Sequence, residues 1–232
     1  MREDAGPFRA TWRELGANSK TVGLRRIEID PGFQPTPPHV HGAEEEIVYV
    51  LDGSGLSWQN GQTFEIGPGD CLVHRAGREA HTLKAGPDGL DVLIYGQRVS
   101  GEAGFLPRAH VAWLGPTWVD AGTGDEPWAR EIAAGPLEIP EPVARPSSIV
   151  NLEDAPSEYD GQLRQLGEAA GSTRTGLNWV SLPPGEAGAP PHCHSAEEEI
   201  FVVLAGGGTL LLYPRAGRRE SRRSTSSARA TL

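Results

Sequence analysis

Cysteine is nearly missing from this 232-residue sequence: only Cys71 and Cys193 are present. Two thiols so far apart make neither a disulfide framework nor a CxxC redox or zinc pair. Long apolar runs are missing as well. None approaches the roughly 20 residues that span a bilayer, which excludes a transmembrane helix. The opening residues, Met1-Arg2-Glu3-Asp4-Ala5-Gly6-Pro7, hold no apolar stretch of the signal-peptide kind, so a reducing cytoplasm is the expected location. Basic charge is scarce: 21 Lys and Arg face 31 Asp and Glu, for a net charge of −10. That balance opposes general nucleic-acid binding, which usually needs a basic stripe. No helix-turn-helix pattern accompanies it.

Glycine and proline, by contrast, are abundant, at 30 and 20 residues. Such a content disfavours long helices and favours short strands separated by turns. Residues 24–29 end at the turn signal Asp30-Pro31-Gly32, and the β-branched and aromatic run 47–51 stops at Asp52-Gly53. Segments 56–59 and 62–66 flank Asn60-Gly61, the strongest two-residue hairpin signal. Segments 71–73 and 90–95 complete a set that reads as an all-β barrel or jelly roll. Residues 125–132, with an acidic start and an early proline, are the one stretch that predicts a helix.

An internal repeat organises the chain. Residues 22–55 slide onto 175–208 without gaps, with 17 identities in 34 positions. The densest part reads PPHVHGAEEEI in the first copy and PPHCHSAEEEI in the second. Two units of one fold are therefore expected: residues 1–103 as a first unit with an N-terminal extension, and 151–214 as a partial second unit. Residues 104–150 read as a Pro- and Gly-rich connection with a short helix.

The chemistry sits in the repeated motif. His39 and His41 are two apart on a predicted strand, so both point to one face. Glu46 opens the next strand, and His81 follows another strand and the turn 67–70. Three imidazoles and a carboxylate converging inside a barrel suit a divalent transition metal; imidazole favours Zn, Fe, Ni or Cu, and carboxylate extends the choice to Mn. An isolated His or Glu is usually mere surface polarity, but here the same His-x-His-x4-Glu occurs twice. Glu44 and Glu45 compete with Glu46; alternation turns Glu45 to the opposite face, and one or other of the pair is expected to face solvent or a neighbouring strand. His74 reads as a satisfied core histidine with a pocket role as its alternative, and His110 has no partner at metal spacing. Cys193, between two ligand histidines, is expected to be a buried small hydrophobe. Arg25, whose counterpart is Asn178, reads equally as an anion clamp or a surface arginine.

These residues resemble the cupin superfamily, whose first motif is approximately G-x5-H-x-H-x3-4-E-x6-G. Gly32, His39, His41, Glu46 and Gly53 fit it with one extra residue in the first spacer, and Gly185, His192, His194, Glu199 and Gly206 fit it equally. The family's second motif, G-x5-P-x-G-x2-H-x3-N, is similar to Gly69, Arg75, Gly77 and His81. Arg75 replaces the proline, one extra residue precedes His81, and no Asn follows. The resemblance covers about residues 20–96 and 160–213. It implies tandem cupin units, each a double-stranded β-helix or jelly-roll barrel, with His39, His41, Glu46 and His81 as metal ligands. It does not choose a reaction, because one scaffold hosts many activities.

The second unit reads as incomplete. It offers His192, His194 and Glu199, but no histidine follows His194. Two His and one carboxylate can still hold iron in a facial arrangement. After Pro214 the pattern gives way to residues 215–232, with six Arg, one Glu and almost no apolar content. Two readings stand side by side: a disordered basic tail, or a shifted reading frame that replaced the missing half-barrel. Open strand edges leave room for a partner's strand or for a homodimer. The expected function is a metal-dependent enzyme acting on a small molecule, with Fe, Mn, Zn or Ni as cofactor. It would be dioxygenase- or decarboxylase-like on a small organic acid or phenol. A non-catalytic module that binds or senses a small ligand or metal, and a sugar isomerase, are the alternatives.

Overall fold

The structure is a computed structural model, and it describes residues 1–77, 79–114, 117–120, 126–212 and 224–229. The chain divides into two compact units, Met1–Ser181 and Leu182–Leu232. In chain order the first begins with β1 (Arg2–Ala5), β2 (Phe8–Glu14), β3 (Val22–Ile29), β4 (Val40–His41), β5 (Glu46–Gln59), β6 (Gln62–Ile66), β7 (Asp70–His74) and β8 (His81–Gln97). It continues with β9 (Ala103–Leu106), β10 (Val111–Leu114), β11 (Thr117–Asp120), helix α1 (Pro127–Ala133), β12 (Ile149–Asn151), β13 (Ser157–Glu158), β14 (Leu163–Arg164), α2 (Leu166–Ala169) and β15 (Trp179–Val180). Among the described residues the second unit holds β16 (Gly207–Leu212) and β17 (Ser224–Arg229), paired antiparallel. No helix among them is long and apolar enough to cross a membrane.

The first unit is built on an eight-stranded antiparallel sheet ordered β1-β2-β3-β8-β5-β7-β12, with β6 hairpinned onto β5. The expected hairpin forms at Asn60-Gly61, both at positive φ as a two-residue turn of this kind requires. One apolar cluster fills its interior, with Ile27, Val48, Val50, Phe64, Leu72, Leu83 and Val92 among its members. Along β5 the run Ile47, Val48, Tyr49 and Val50 is buried without alternation. Both faces are covered: Val48 and Val50 join the interior cluster, while Ile47 lies beside Gly167 of α2. Halfway along, β5 and β8 shift register on either side of Gly53. Gly53 has φ +80, and a Cβ there would stand 2.3 Å from the Gly89 carbonyl oxygen, so the kink demands glycine.

A second, four-stranded sheet is ordered β11-β10-β9-β4. Three of its strands come from residues 103–120, most of which the sequence reads as connection. The helix in that stretch is observed as α1, with Glu126 as N-cap accepting from the Ala129 amide at 2.9 Å and Pro127 in the first turn; Asp125 lies outside the described residues. Residues 149–181 also belong to the first unit, where β12 pairs with β7. Of the basic stretch 215–232, residues 215–223 and 230–232 lie outside the described residues, and 224–229 is β17.

Candidate metal centre

The two sheets bring four distant residues together. His41 ends β4, Glu46 opens β5 and His81 opens β8. His39 and His81 exchange backbone hydrogen bonds of 3.1 and 3.0 Å, so their side chains are held side by side by the main chain. Across β5 and β7, Glu46 stands opposite His74. His39, His41, Glu46 and His81 each offer a ligand atom within 4.8 Å of every other. The Glu46 carboxylate is 3.5 Å from His41 Nε2 and 3.4 Å from His81 Nε2.

The imidazoles are aimed by their other nitrogens. His39 Nδ1 donates to the Pro37 carbonyl at 3.0 Å, and His81 Nδ1 to the Glu79 carbonyl at 3.3 Å. A carbonyl can only accept, so both rings carry the proton on Nδ1 and turn an Nε2 lone pair inward. His41 Nδ1 faces carboxylates instead, Glu102 at 3.5 Å and Glu44 at 3.8 Å. His41 Nε2 and His81 Nε2 are buried without a hydrogen-bond partner. Buried polar atoms are rarely left this way, and a cation at their common focus satisfies them. Three nitrogens and one carboxylate fit a divalent transition metal.

Electrostatics separate the three rings in the metal-free site. Burial, aided by neighbouring His81 and His41, pushes His39 down to about 3. His41 is also opposed by burial, but contacts with Glu46, Glu44 and Glu102 outweigh it and raise it to about 8. Burial and the neighbouring His74 lower His81 against the pull of Glu46. Burial would raise Glu46, yet the adjoining His41 and His81 rings hold it well below the usual carboxylate range.

Several neighbours depart from the sequence expectation. Neither Glu44 nor Glu45 points freely into solvent. Glu44 is half-buried beside His41, and its carboxylate accepts from the Val99 amide at 3.3 Å. Glu45 is 2% exposed and accepts from Ser172 Oγ, the amides of Thr173, Arg174 and Thr175, and Thr175 Oγ1. Alternation does turn it away from the metal cluster, but residues 172–175 cover that face. His74 is buried, stacks on His81 with ring centres 3.9 Å apart, and bonds Glu79 through Nδ1 at 3.1 Å; its Nε2 has no hydrogen-bond partner. Arg25 is a surface arginine paired with Glu14 at 3.1 Å. His110 is exposed at a turn with φ 53.

Glu102 was invisible in the sequence. Its buried carboxylate accepts from the amides of Gly42, Ala43 and Glu44 at 2.9, 2.8 and 3.0 Å, pinning the loop between His41 and Glu46. It stands alone in a Gly-containing loop with no spacing signal, and only the pairing of β9 with β4 delivers it.

In the second unit, His192, His194 and Glu199 also offer ligand atoms within 4.8 Å of one another. His192 Nδ1 donates to the Pro190 carbonyl at 2.7 Å, and Glu199 lies 4.0 and 3.7 Å from His192 and His194 Nε2. All three residues are exposed. Cys193 is exposed too, against expectation, because the described residues of this unit supply no strands to cover its segment.

Comparison with known proteins adds a family. Residues 25–93 match the family described as Cupin domain. No curated protein matches the chain. Among solved structures, a proposed sugar phosphate isomerase from Acidithiobacillus ferrooxidans is 29% identical, with 49% of this chain and 76% of that one covered at a TM-score of 0.46. A cupin-superfamily sugar phosphate isomerase from Silicibacter pomeroyi is 19% identical, covering 47% and 74%, with a TM-score of 0.44. A variant oxalate decarboxylase from Bacillus subtilis is 21% identical, covering 41% and 26%, with a TM-score of 0.35. At these scores the named activities stay with those proteins. The family match, the jelly-roll sheets and the repeated histidine motif agree that residues 25–93 of this chain are a cupin domain.

Proposed function

We propose that this protein is a metal-dependent enzyme acting on a small molecule, with His39, His41, Glu46 and His81 as the metal's ligands. The observation that carries the reading is the pair of buried, partnerless Nε2 atoms facing Glu46, in rings whose Nδ1 atoms are already engaged or faced by carboxylates. A bound divalent ion would supply Lewis acidity, or redox chemistry toward dioxygen. The chain itself holds His39 and His81 neutral and ready to ligate, keeps Glu46 ionised beside a protonated His41 that gives up its proton to a metal, and excludes most water from the cluster. His39, His41 and Glu46 are partly exposed while His81 is buried, so a small molecule would reach the cluster past the first three. A small organic acid or phenol, undergoing oxidative cleavage or decarboxylation, is the substrate class that such a centre serves best.

Metal analysis of the purified protein, followed by dioxygen-uptake and carbon dioxide-release assays over a panel of organic acids and phenols, tests this. Stoichiometric Fe or Mn with substrate-dependent turnover is the expected result. Stoichiometric Zn or Ni with no turnover would replace the enzyme by a binding or sensing module, and interconversion of sugars would replace it by an isomerase. A protein that takes up no metal would overturn the reading.

A further inference from the structure

The second sheet places an aromatic residue against the metal centre. Its ladder pairs His41 of β4 with Gly104 of β9, and Gly104 with Trp113 of β10. Residues directly opposite in a ladder share a face, so Trp113 lies on the same face as His41, two strands away. Gly104 has no side chain, and the indole occupies the space: a Cβ there would stand 1.7 Å from Trp113 Cζ2. The ring thereby reaches across the intervening strand. Its centre is 5.9 Å from that of His41, edge-on at 84°, and 6.1 Å from that of His39, tilted at 52°. His41 is also more open than His81, with a side chain 14% exposed against 5%. A molecule that approaches past His41 meets the indole beside it.

We propose that Trp113 is the specificity-determining wall of this centre, and that the ligand it favours is a planar, conjugated oxygen chelator of the catechol type. The inference rests on the metal reading above and sharpens it. A chelating pair of oxygens answers the metal, while the flat ring carrying them stacks on or packs against the indole. A small aliphatic diacid offers the same oxygens and nothing for Trp113 to hold. Aromatic pairing of this kind favours the conjugated ligand by about twofold to tenfold.

The test uses the full-length protein loaded with Zn, with 4-nitrocatechol and oxalate as probes, each titrated separately. The readout is the ratio of their affinities. In Trp113→Ala that ratio falls by about twofold to tenfold while metal content stays at the wild-type level, and Trp113→Phe keeps most of it. Gly104→Ala, which pushes the indole off its seat without changing its chemistry, lowers the ratio as well. An unchanged ratio in metal-replete Trp113→Ala and Gly104→Ala overturns the proposal and leaves the metal reading intact. Loss of metal in all three variants would make Trp113 a structural support and also overturn it. A wild-type protein that holds no Zn at all overturns the metal reading first, and this one with it.

Discussion

The two ligand clusters share a local design and differ in what surrounds them. In each, the first histidine gives its Nδ1 proton to the carbonyl two residues earlier, Pro37 or Pro190. The second histidine faces a glutamate three residues later, Glu44 at 3.8 Å or Glu197 at 3.3 Å. The paired rings stand 5.0 Å apart at 82° in one and 5.2 Å apart at 88° in the other. The second histidine lies 3.5 Å from Glu46 in one and 3.7 Å from Glu199 in the other. Yet the side chains of His41, Glu46 and His81 in the first cluster are at most 15% exposed, and those of the second lie between 39% and 48%. A dozen residues suffice to arrange two imidazoles and a carboxylate. Burying them, and adding a fourth ligand, takes strands from elsewhere in the chain.

Substitution of the central histidines is the widest way to break that comparison. His41→Ala should abolish metal retention at the first cluster after dialysis against a weak chelator, whereas His194→Ala should leave the retained stoichiometry unchanged. Equal loss from both variants, read by mass spectrometry of bound metal, would show the two clusters to be equivalent after all.

Glu102 comes next, since nothing in the second unit's described residues takes its place. Glu102→Ala frees three loop amides and removes the carboxylate beside His41 Nδ1, and metal affinity should fall by about 10- to 100-fold. Competition with a chromogenic chelator measures it. A loss under twofold would show that the loop holds its shape without this residue.

Removal of the Glu45 carboxylate tests how far residues 172–175 support the ligand strand. Glu45→Ala takes away the buried carboxylate that accepts from Ser172, Thr173, Arg174 and Thr175, and a cost of about 1–3 kcal/mol is expected. Urea unfolding of the metal-free protein reads this, and an unshifted midpoint would mean that water replaces the carboxylate.

The smallest effect is that of pH. His41 in the metal-free site is raised from its ordinary 6.5 to about 8, so below pH 8 a proton must leave before the ring can ligate. Apparent affinity should therefore rise by about tenfold per unit as pH climbs from 7 to 8, then level off, with one proton released. Calorimetry in buffers of differing ionisation enthalpy counts that proton. The same raised value makes the charged ring a source of stability in the metal-free protein that is complete below 6.5 and lost as pH passes 8. A flat profile would place His41 outside the coordination sphere.

Much of the first site was legible before any coordinates. His39, His41 and Glu46 share a face because strand alternation and a short turn put them there, and the repeat made accident a poor explanation. His81 was legible through its motif, despite the arginine at 75 and the extra residue before it. The turn at Asn60-Gly61 was likewise written locally, in residues that tolerate positive φ, whereas the strand end expected at Asp52-Gly53 is a kink within the continuous β5. Glu102, Trp113 and the partners of Glu45 were not. Each reaches the site through a ladder or loop that closes more than fifty residues of chain, and none stands in a pattern with its neighbours. The exposed Cys193 shows the converse: alternation fixes which way a thiol points relative to its neighbours, never whether anything covers it.

The order of amino acids alone determined the types and spacing of the candidate ligands and the Asn60-Gly61 hairpin beyond them, because those depend on dihedral preferences and on the two-residue period of a strand. Tertiary structure alone decided that one cluster is dry and the other wet, that a carboxylate from residue 102 pins the ligand loop, and that an indole from residue 113 sits where Gly104 leaves room. Burial and long-range pairing are properties of surfaces meeting in space, and a linear pattern carries no measure of what will meet it.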